Sequence, residues 1–188
     1  FYDDYAHHPT EIKFVLDGVN KVYNGYDKVC VFQPHRISRL KDLRNYFLKF
    51  VERVPSFGKS FICIDDKMNN ILIKKIKNQN FYTYGTNLKS NFLIKNINQN
   101  KNFTEFDLLV NLPNKKRLNI KKIKIPLLGI HNVRNSVAAL AVAITVGISI
   151  KDIKSGLRNF KGVQRRFNKI FSYKEIDFYD DYAHHPTE

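Results

Sequence analysis

The sequence predicts an α/β fold that also contains some antiparallel strands. Short apolar runs typical of buried strands alternate with longer segments whose apolar residues recur at helical spacing, as in proteins built on a parallel sheet. Between Asn91 and Pro126 apolar and polar residues alternate instead, which is typical of antiparallel strands with one face in water. With 188 residues, 43% of them hydrophobic, the chain can form a packed core, and a disordered chain is excluded.

The first part of the chain is expected to alternate strands with helices. Residues 1–5 and 28–33 have strand-like sequences, and residues 10–22 between them have helical spacing. These three elements predict a strand, helix, strand unit of the kind found in parallel sheets. The elements expected next are a helix over residues 38–54, a strand over 60–64, a short helix over 68–76 and a strand over 81–84.

The remainder of the chain is expected to contain antiparallel strands and then two helices. The strands are predicted from the segments FLIKNI, FDLLVNL and RLNIKKIKI. An Ala-rich helix is predicted over residues 132–146 and a second helix over 149–160. A loop over residues 162–167 is expected to lead into a last strand.

The two ends of the chain repeat each other. Residues 1–11 and 178–188 both read FYDDYAHHPTE, identical at all eleven positions. A perfect repeat confined to the two extremes is typical of an overlap left by how a sequence was obtained, not of a repeat protein. Because the first copy keeps its following helix, we expect residues 1–11 to occupy the strand position beside residues 28–33. Residues 178–188 are expected to add at an edge or to fray.

Composition limits the classes of function. The net charge of +15 raises the question of nucleic acid, but the lysines are scattered among Asn and Ile, which favours solvated faces. A small basic nucleic-acid-binding module without catalysis stays open as an alternative. Cys30 and Cys63 lie in apolar runs, typical of buried thiols in a reducing compartment. The most apolar run, residues 136–150, is shorter than the ~20 residues of a membrane helix, so a cytoplasmic protein is expected.

The segment GIHNVRN, residues 129–135, is unusual for purely structural sequence. Gly129 allows the backbone to turn, and Asn132 and Asn135 are spaced to share one face at the start of a helix. Their carboxamides can offer both a donor and an acceptor to the edge of a purine. An asparagine near a helix start can equally be a cap, and both interpretations stay open.

Three further segments place charged groups at turns or strand ends. GVQRRF, residues 162–167, has two adjacent arginines whose planar forks match phosphate oxygens or simply face solvent. The repeat DDYAHHP places carboxylates and imidazoles at a strand end, where open parallel sheets bind ligands. PHRISR, residues 34–39, follows a strand and opens a helix with cationic groups suited to an anion. No further His or Cys has zinc-like spacing, so no metal site is predicted.

Five segments together resemble one family, the ATP-dependent Mur ligases: DDYAHHPTE, VFQPHRISR, VPSFGKSFICIDD, GIHNVRNSVAALAVA and GVQRRF. The likeness favours the members that join L-alanine to UDP-N-acetylmuramate in peptidoglycan precursor synthesis over the Mpl-type members that recycle muropeptides. It implies fragments of two ligase domains. Residues 1–44 resemble a piece of the C-terminal Rossmann-like domain, 45–165 the second half of the central ATP-binding domain, and 166–188 a linker and the repeated start of the C-terminal domain.

The resemblance also implies ligands and an expectation about activity. ATP and Mg²⁺ would serve the parent enzyme, and UDP-N-acetylmuramate and L-alanine would be its small-molecule substrates. Neither a Gly-x-x-Gly-Lys-Thr phosphate loop nor the family's magnesium ligands are found in this chain. We therefore expect no catalytic residue and no ligation by this chain alone.

Residue by residue, the resemblance assigns Asn132 and Asn135 to the adenine of ATP, and Arg166, with Arg165 as second choice, to its phosphates. It further implies a nucleotide-binding aspartate, an adjacent ligand-facing histidine, and a segment that holds the amino acid and acyl group. The aspartate is Asp181 or Asp4, the histidine is His184 or His7, and the segment contains His35, Arg36 and Arg39.

Overall fold

A computed structural model of the chain describes residues 9–22, 40–77, 80–113, 115–163 and 168–180. The strands predicted over residues 1–5 and 28–33 lie outside the described residues, and so does the predicted pairing between them. Of the second repeat copy, residues 178–180 are described.

The described residues form five α-helices and seven strands. The helices are α1 (Pro9–Val22), α2 (Leu40–Glu52), α3 (Lys67–Leu72), α4 (Ile130–Thr145) and α5 (Ile150–Asn159), with a single 3₁₀ turn at Ile73–Lys75 after α3. The strands are β1 (Ser60–Cys63), β2 (Phe81–Gly85), β3 (Phe92–Gln99), β4 (Thr104–Val110), β5 (Leu118–Ile125), β6 (Asn168–Tyr173) and β7 (Ile176–Asp180).

Strands β1 to β5 form one sheet in that order. β1, β2 and β3 run parallel, whereas β4 is antiparallel to both β3 and β5. The mixed α/β fold and the antiparallel strands predicted from the alternating segments are therefore confirmed. Along β4 buried and half-buried residues alternate from Thr104 to Val110, because successive side chains of a strand point to opposite faces.

The main core lies between this sheet and helices α4 and α5. Phe92, Phe106 and Leu108 of the sheet are completely buried, as are Val133 and Val137 of α4. The Ala-rich sequence of α4 suits this position, since small side chains allow a helix to approach a sheet closely. Packing against the sheet fixes the start of α4 beside the ends of the parallel strands.

Strand β1 is covered on both faces. Phe61 belongs to the main core, whereas Ile62 and Ile64 pack in a second cluster with Phe47 and Val51 of α2. This explains why the segment SFICI is a nearly continuous apolar run, as strands buried on two sides usually are. The residues that follow Ile64 are therefore held at a rigid strand end.

Asp107, in the middle of β4, links the strands on its two sides. Its Oδ2 accepts a hydrogen bond from Asn96 Nδ2 of β3 and its Oδ1 accepts one from the backbone N–H of Lys122 of β5, both at 2.8 Å. Asn96 and Lys122 both have positive φ, and the pairing register shifts along both sides of β4. The carboxylate thus supports two irregular positions, and these hydrogen bonds lower the pKa of Asp107.

Strands β6 and β7 form a separate antiparallel hairpin. β7 was expected from the repeated segment, but β6 was not expected. The two turn residues, Lys174 and Glu175, both have positive φ, as a tight two-residue hairpin turn requires. Within the described part of the chain, no helix has the length and apolar character needed to span a bilayer.

Candidate functional site

The carboxyl ends of β1 and β2 and the first turns of α4 meet around a cleft of about 350 Å³. In open α/β sheets this edge of the parallel strands is where ligands bind. Ile64 supplies an apolar side chain to the lining. The polar and charged residues of the lining are Asp65, Lys67, Asn70, Thr86, Asn87 and Arg134.

Asp65 connects the ends of β1 and β2. Its Oδ1 accepts hydrogen bonds from the backbone N–H of Thr86 at 2.8 Å, from Thr86 Oγ1 at 3.0 Å and from the backbone N–H of Asn87 at 3.0 Å. Gly85 makes this approach feasible, because its φ is +142° and a Cβ there would lie 2.5 Å from Asp65 Oδ1. A larger residue at position 85 would push the two strand ends apart.

The same carboxylate holds Arg134 of α4. Arg134 Nε donates to Asp65 Oδ2 at 2.8 Å, and the Asp65 side chain is only 6% exposed while that of Arg134 is 34% exposed. A buried carboxylate needs this degree of pairing, since an unpaired buried charge is strongly unfavourable. Asp65 and its partners therefore join two strands and one helix at a single point.

The adjacent carboxylate, Asp66, has a different role. Its Oδ1 accepts from the backbone N–H groups of Met68 at 2.8 Å and Asn69 at 2.9 Å, which caps α3. The sequence analysis did not select Asp65 or Arg134 as site residues. A carboxylate directly after a doubly buried parallel strand was the available signal.

The first residues of α4 are fixed by contacts to neighbouring loops and strands. The backbone N–H of Gly129 donates to Gln99 Oε1 at 2.7 Å, and Thr104 Oγ1 donates to the carbonyl of Leu127 at 2.7 Å. Gly129 has a φ of +91°, and a Cβ there would lie 2.7 Å from the imidazole Cε1 of His131. The backbone conformation therefore favours glycine at 129, and a Cβ there would also force the exposed His131 imidazole to move.

Asn132 and Asn135 lie in the first two turns of α4, as the helical spacing predicted. Asn132 Nδ2 donates to the carbonyl of Leu128 at 2.8 Å, so part of its carboxamide holds the loop before the helix. Asn135 is exposed. Asn132 is half-buried, so the two carboxamides differ in exposure, and their contact with a purine edge stays a prediction.

The other residues implied by the resemblance lie outside the described residues, and their roles stay predictions. They are Asp4, His7, His35, Arg36, Arg39, Arg165, Arg166, Asp181 and His184.

Two ionisable side chains near the cleft are held neutral. Burial raises the pKa of the Cys63 thiol and raises the pKa of the Tyr84 hydroxyl well above its usual range. Cys63 is a free, half-buried cysteine, so it is not prepared as a thiolate nucleophile. No three His, Cys, Asp or Glu side chains come together as metal ligands within the described ranges, and no magnesium site is derived from them.

Comparison with known proteins decides the family. Residues 36–143, more than half of the chain, match the Mur ligase middle domain. The chain belongs to the Mur ligase family. The sequence is 66% identical over 149 residues to the UDP-N-acetylmuramate--L-alanine ligase of Pelagibacter ubique (strain HTCC1062), an alignment that covers 79% of this chain and 32% of that ligase. The chain thus spans about a third of that Mur ligase's length.

Solved Mur ligase structures share the fold. The UDP-N-acetylmuramate-alanine ligase MurC from Thermotoga maritima superposes with a TM-score of 0.62 at 20% sequence identity, covering 85% of this chain and 35% of that chain. MurF ligase from the same organism, solved in complex with ADP, superposes with a TM-score of 0.63 at 14% identity, covering 93% of this chain and 38% of that chain. At these identities the likeness shows the fold.

Proposed function

We propose that this chain is a part of an ATP-dependent ligase that joins L-alanine to UDP-N-acetylmuramate, an early step in making the bacterial cell wall. The observation that carries this proposal is the 66% identity to a ligase of that name over 149 residues. In the parent enzyme the muramate carboxylate would be activated as an acyl phosphate by ATP. The amine of alanine would then attack the acyl carbon, and phosphate would leave.

The domain assignment belongs to the same proposal. Residues 45–165 would be the second half of the central ATP-binding domain, and residues 1–44 and 166–188 would be pieces of the C-terminal domain. The mixed sheet β1 to β5 with α4 and α5 against it supports the first assignment, because Mur ligases of known structure share this arrangement. A cytoplasmic location fits an enzyme whose substrates are a nucleotide, a nucleotide sugar and an amino acid.

Within this fold, Asn132 and Asn135 would hold the adenine of ATP. This proposal is supported by the position of both residues at the start of α4, where Asn135 is exposed and Asn132 is half-buried. Gln99 and Thr104 hold the loop before this helix by hydrogen bonds. A rigid pair of donor and acceptor groups discriminates a purine edge better than mobile side chains do. The phosphates would meet Arg166 or Arg165, with Asp181 or Asp4 also on the nucleotide. His7 or His184 and the segment with His35, Arg36 and Arg39 would meet the other substrates.

A chimera tests this function directly. Residues 45–163 of this chain would replace the corresponding segment of the Pelagibacter ligase, and phosphate release would be followed with ATP, UDP-N-acetylmuramate and L-alanine. We expect alanine-dependent turnover within about tenfold of the unmodified ligase. A folded chimera without alanine-dependent turnover would contradict the proposal.

The adenine contact is tested in the same chimera. Asn135→Ala removes an exposed carboxamide, and we expect the KM for ATP to rise about five- to tenfold, the effect of losing one or two hydrogen bonds. Asn159→Ala is the matched control, because Asn159 is also an exposed asparagine at the surface of a helix, α5. Equal changes in KM for the two variants would remove Asn135 from the nucleotide site.

The 188-residue chain by itself is expected to be inactive. It contains no Gly-x-x-Gly-Lys-Thr loop to position the γ-phosphate, and we expect it to bind ATP no more tightly than ~1 mM. Phosphate release that depends on ATP, muramate substrate and alanine, above a no-enzyme control, would show this expectation to be wrong. Calorimetry that found micromolar ATP affinity would also contradict it.

A further inference from the structure

We infer that the cleft at the ends of β1 and β2 is an oxyanion subsite in which Arg134 and Lys67 bind a phosphate or carboxylate group. Asp65 acts as a positioning residue that fixes the guanidinium of Arg134. The subsite includes Arg134 of α4, the helix that also carries Asn132 and Asn135. Its existence follows from the geometry of the cleft, and only its use in a ligase rests on the proposed function.

Arg134 is held in a way that leaves most of its donors available. Its Nε donates to Asp65 Oδ2, while its two terminal nitrogens make no hydrogen bond within the described part of the chain. A guanidinium carries five N–H donors in a rigid fork, so fixing Nε also fixes the direction of the others. An arginine oriented in this manner is suited to bind two oxygens of one anion.

Asp65 is already saturated and does not compete for a cation. Its two oxygens accept four hydrogen bonds, from Thr86 twice, from Asn87 and from Arg134. A carboxylate accepts about four bonds in all, so no acceptor site is left for a metal ion. The cleft therefore has a spare positive charge, since Lys67 has no ion-pair partner in the described ranges.

The lining favours an anion over an apolar ring. Apart from Ile64, the cleft is lined by charged side chains, two asparagines and a threonine. A purine would find little apolar surface there, whereas the oxygens of a phosphate or carboxylate would meet N–H donors from Arg134, Lys67 and Asn70. A volume of about 350 Å³ accommodates a diphosphate.

The experiment titrates the full chain with pyrophosphate, with acetate and with adenosine by calorimetry. The test variants are Arg134→Gln and Lys67→Gln, and the matched control is Arg158→Gln, an exposed arginine of α5 with the same change in charge. We expect Arg134→Gln to weaken pyrophosphate binding about tenfold and Lys67→Gln about threefold, while Arg158→Gln changes it less than twofold. If all three variants weaken it equally, the binding is nonspecific attraction to a basic protein and the inference is wrong.

The titrations with acetate and adenosine answer two separate questions. They show whether a carboxylate or a phosphate binds the subsite, and they test the adenine assignment independently of it. Loss of acetate binding in Arg134→Gln would show that a carboxylate uses the subsite, and loss of pyrophosphate binding alone would show that a phosphate does. Adenosine binding should be unchanged in Arg134→Gln and weakened in Asn135→Ala. If Asn135→Ala leaves adenosine binding unchanged, the adenine assignment fails while the oxyanion subsite stands.

A second readout covers the case in which Arg134→Gln loses its fold. Arg134→Lys keeps the charge and loses the fixed fork, so we expect an intermediate loss of pyrophosphate affinity. In the unsubstituted chain, pyrophosphate should shift the backbone amide NMR signals of Thr86 and Asn87, which are bonded to Asp65. Shifts that spread over lysines of other faces and leave these two amides unchanged would overturn the inference.

Discussion

The sheet β1 to β5 and the hairpin β6–β7 contain similar aromatic and aliphatic residues, but those of the sheet core are buried and those of the hairpin are exposed. Phe92 and Phe106 of the sheet are 0% exposed, whereas Phe171 and Phe178 of the hairpin are 52% and 41% exposed. The two hairpin rings stack on each other with their centroids 4.4 Å apart. Apolar content alone therefore does not decide burial, because a side chain is buried only where a second layer covers its strand.

The polar contacts of the hairpin are also more exposed than those of the sheet. In the hairpin, Lys169 Nζ lies 2.6 Å from Asp177 Oδ1 and Ser172 Oγ donates to the same oxygen at 2.7 Å, all at exposed side chains. Exposed pairs of this kind contribute little to stability. In the sheet region Asp65 and Thr104 make their bonds in buried surroundings, so the free energy of folding should reside mainly between residues 60 and 160.

The largest expected effect is loss of a ring from the main core. Phe106→Ala should lower the free energy of unfolding by about 4 kcal/mol, because the ring is completely buried and its removal leaves a cavity. The matched change in the hairpin, Phe171→Ala, should lower it by less than about 1 kcal/mol. Urea unfolding followed by circular dichroism measures both, and similar losses would contradict the contrast between the two regions.

The second effect compares two carboxylates, Asp65 of the cleft and Asp177 of the hairpin. Asp65→Ala leaves Arg134 without its partner and three donors of Thr86 and Asn87 without an acceptor, so we expect a loss of about 3 kcal/mol. Asp177→Ala breaks the exposed ion pair with Lys169 and should change the free energy of unfolding far less than Asp65→Ala does, because solvent screens this pair. The same unfolding measurement checks the pair, and an Asp65 variant as stable as the Asp177 variant would show that the cleft contacts carry no stability.

The third effect isolates one buried hydroxyl. Thr104→Val removes the hydrogen bond to the Leu127 carbonyl while keeping the shape of a completely buried side chain, and should cost about 1–2 kcal/mol. Ser172→Ala removes a hydroxyl from the exposed face of the hairpin and should cost almost nothing. Thermal unfolding distinguishes them, and a Thr104 variant with an unchanged Tm would mean that water replaces the lost hydroxyl.

The sequence predicted most of the sheet region but not the hairpin, and the reason is local. Between residues 60 and 160 the periodicity of apolar residues matches the observed strands and helices to within a few residues. α4 begins at Ile130, two residues earlier than expected, because Gly129 with its positive φ ends the preceding loop. β6 was not predicted, since its turn uses Lys174 and Glu175 in place of the Gly or Asn that signals a tight turn.

The site was predictable only in part because its key contacts join distant residues. Asn132 and Asn135 were found because a spacing of three is visible along the chain. Asp65 bonds to Thr86, 21 residues away, and to Arg134, 69 residues away. No periodicity encodes such a pairing, which exists only after β1, β2 and α4 have packed together.

The smallest expected effect is a difference in acid sensitivity between the half-buried carboxylate Asp107 and the exposed carboxylate Asp177. Hydrogen bonds from Asn96 and from the backbone of Lys122 lower the pKa of Asp107, and bonds from Lys169 and Ser172 lower the pKa of Asp177. A carboxyl group whose pKa is lower in the folded chain stabilises the fold above its unfolded pKa, near 3.9, and loses that contribution as the pH falls through its folded value. Asp107 and Asp177 differ in how many strands their hydrogen bonds connect.

Asp107 joins β3, β4 and β5, so its acid-dependent contribution should appear in the stability of the whole sheet, whereas that of Asp177 should stay within the hairpin. Asp107→Asn should therefore be slightly less stable than the unsubstituted chain near pH 6, and this difference should be smaller near pH 2, because the Asp107 carboxyl group takes up a proton as the pH falls through its folded pKa. Asp177→Asn should match the unsubstituted chain at both pH values. Urea unfolding at the two pH values decides the matter. A deficit of the Asp107 variant that is the same at both would assign its effect to packing of the irregular strand positions and not to the charge.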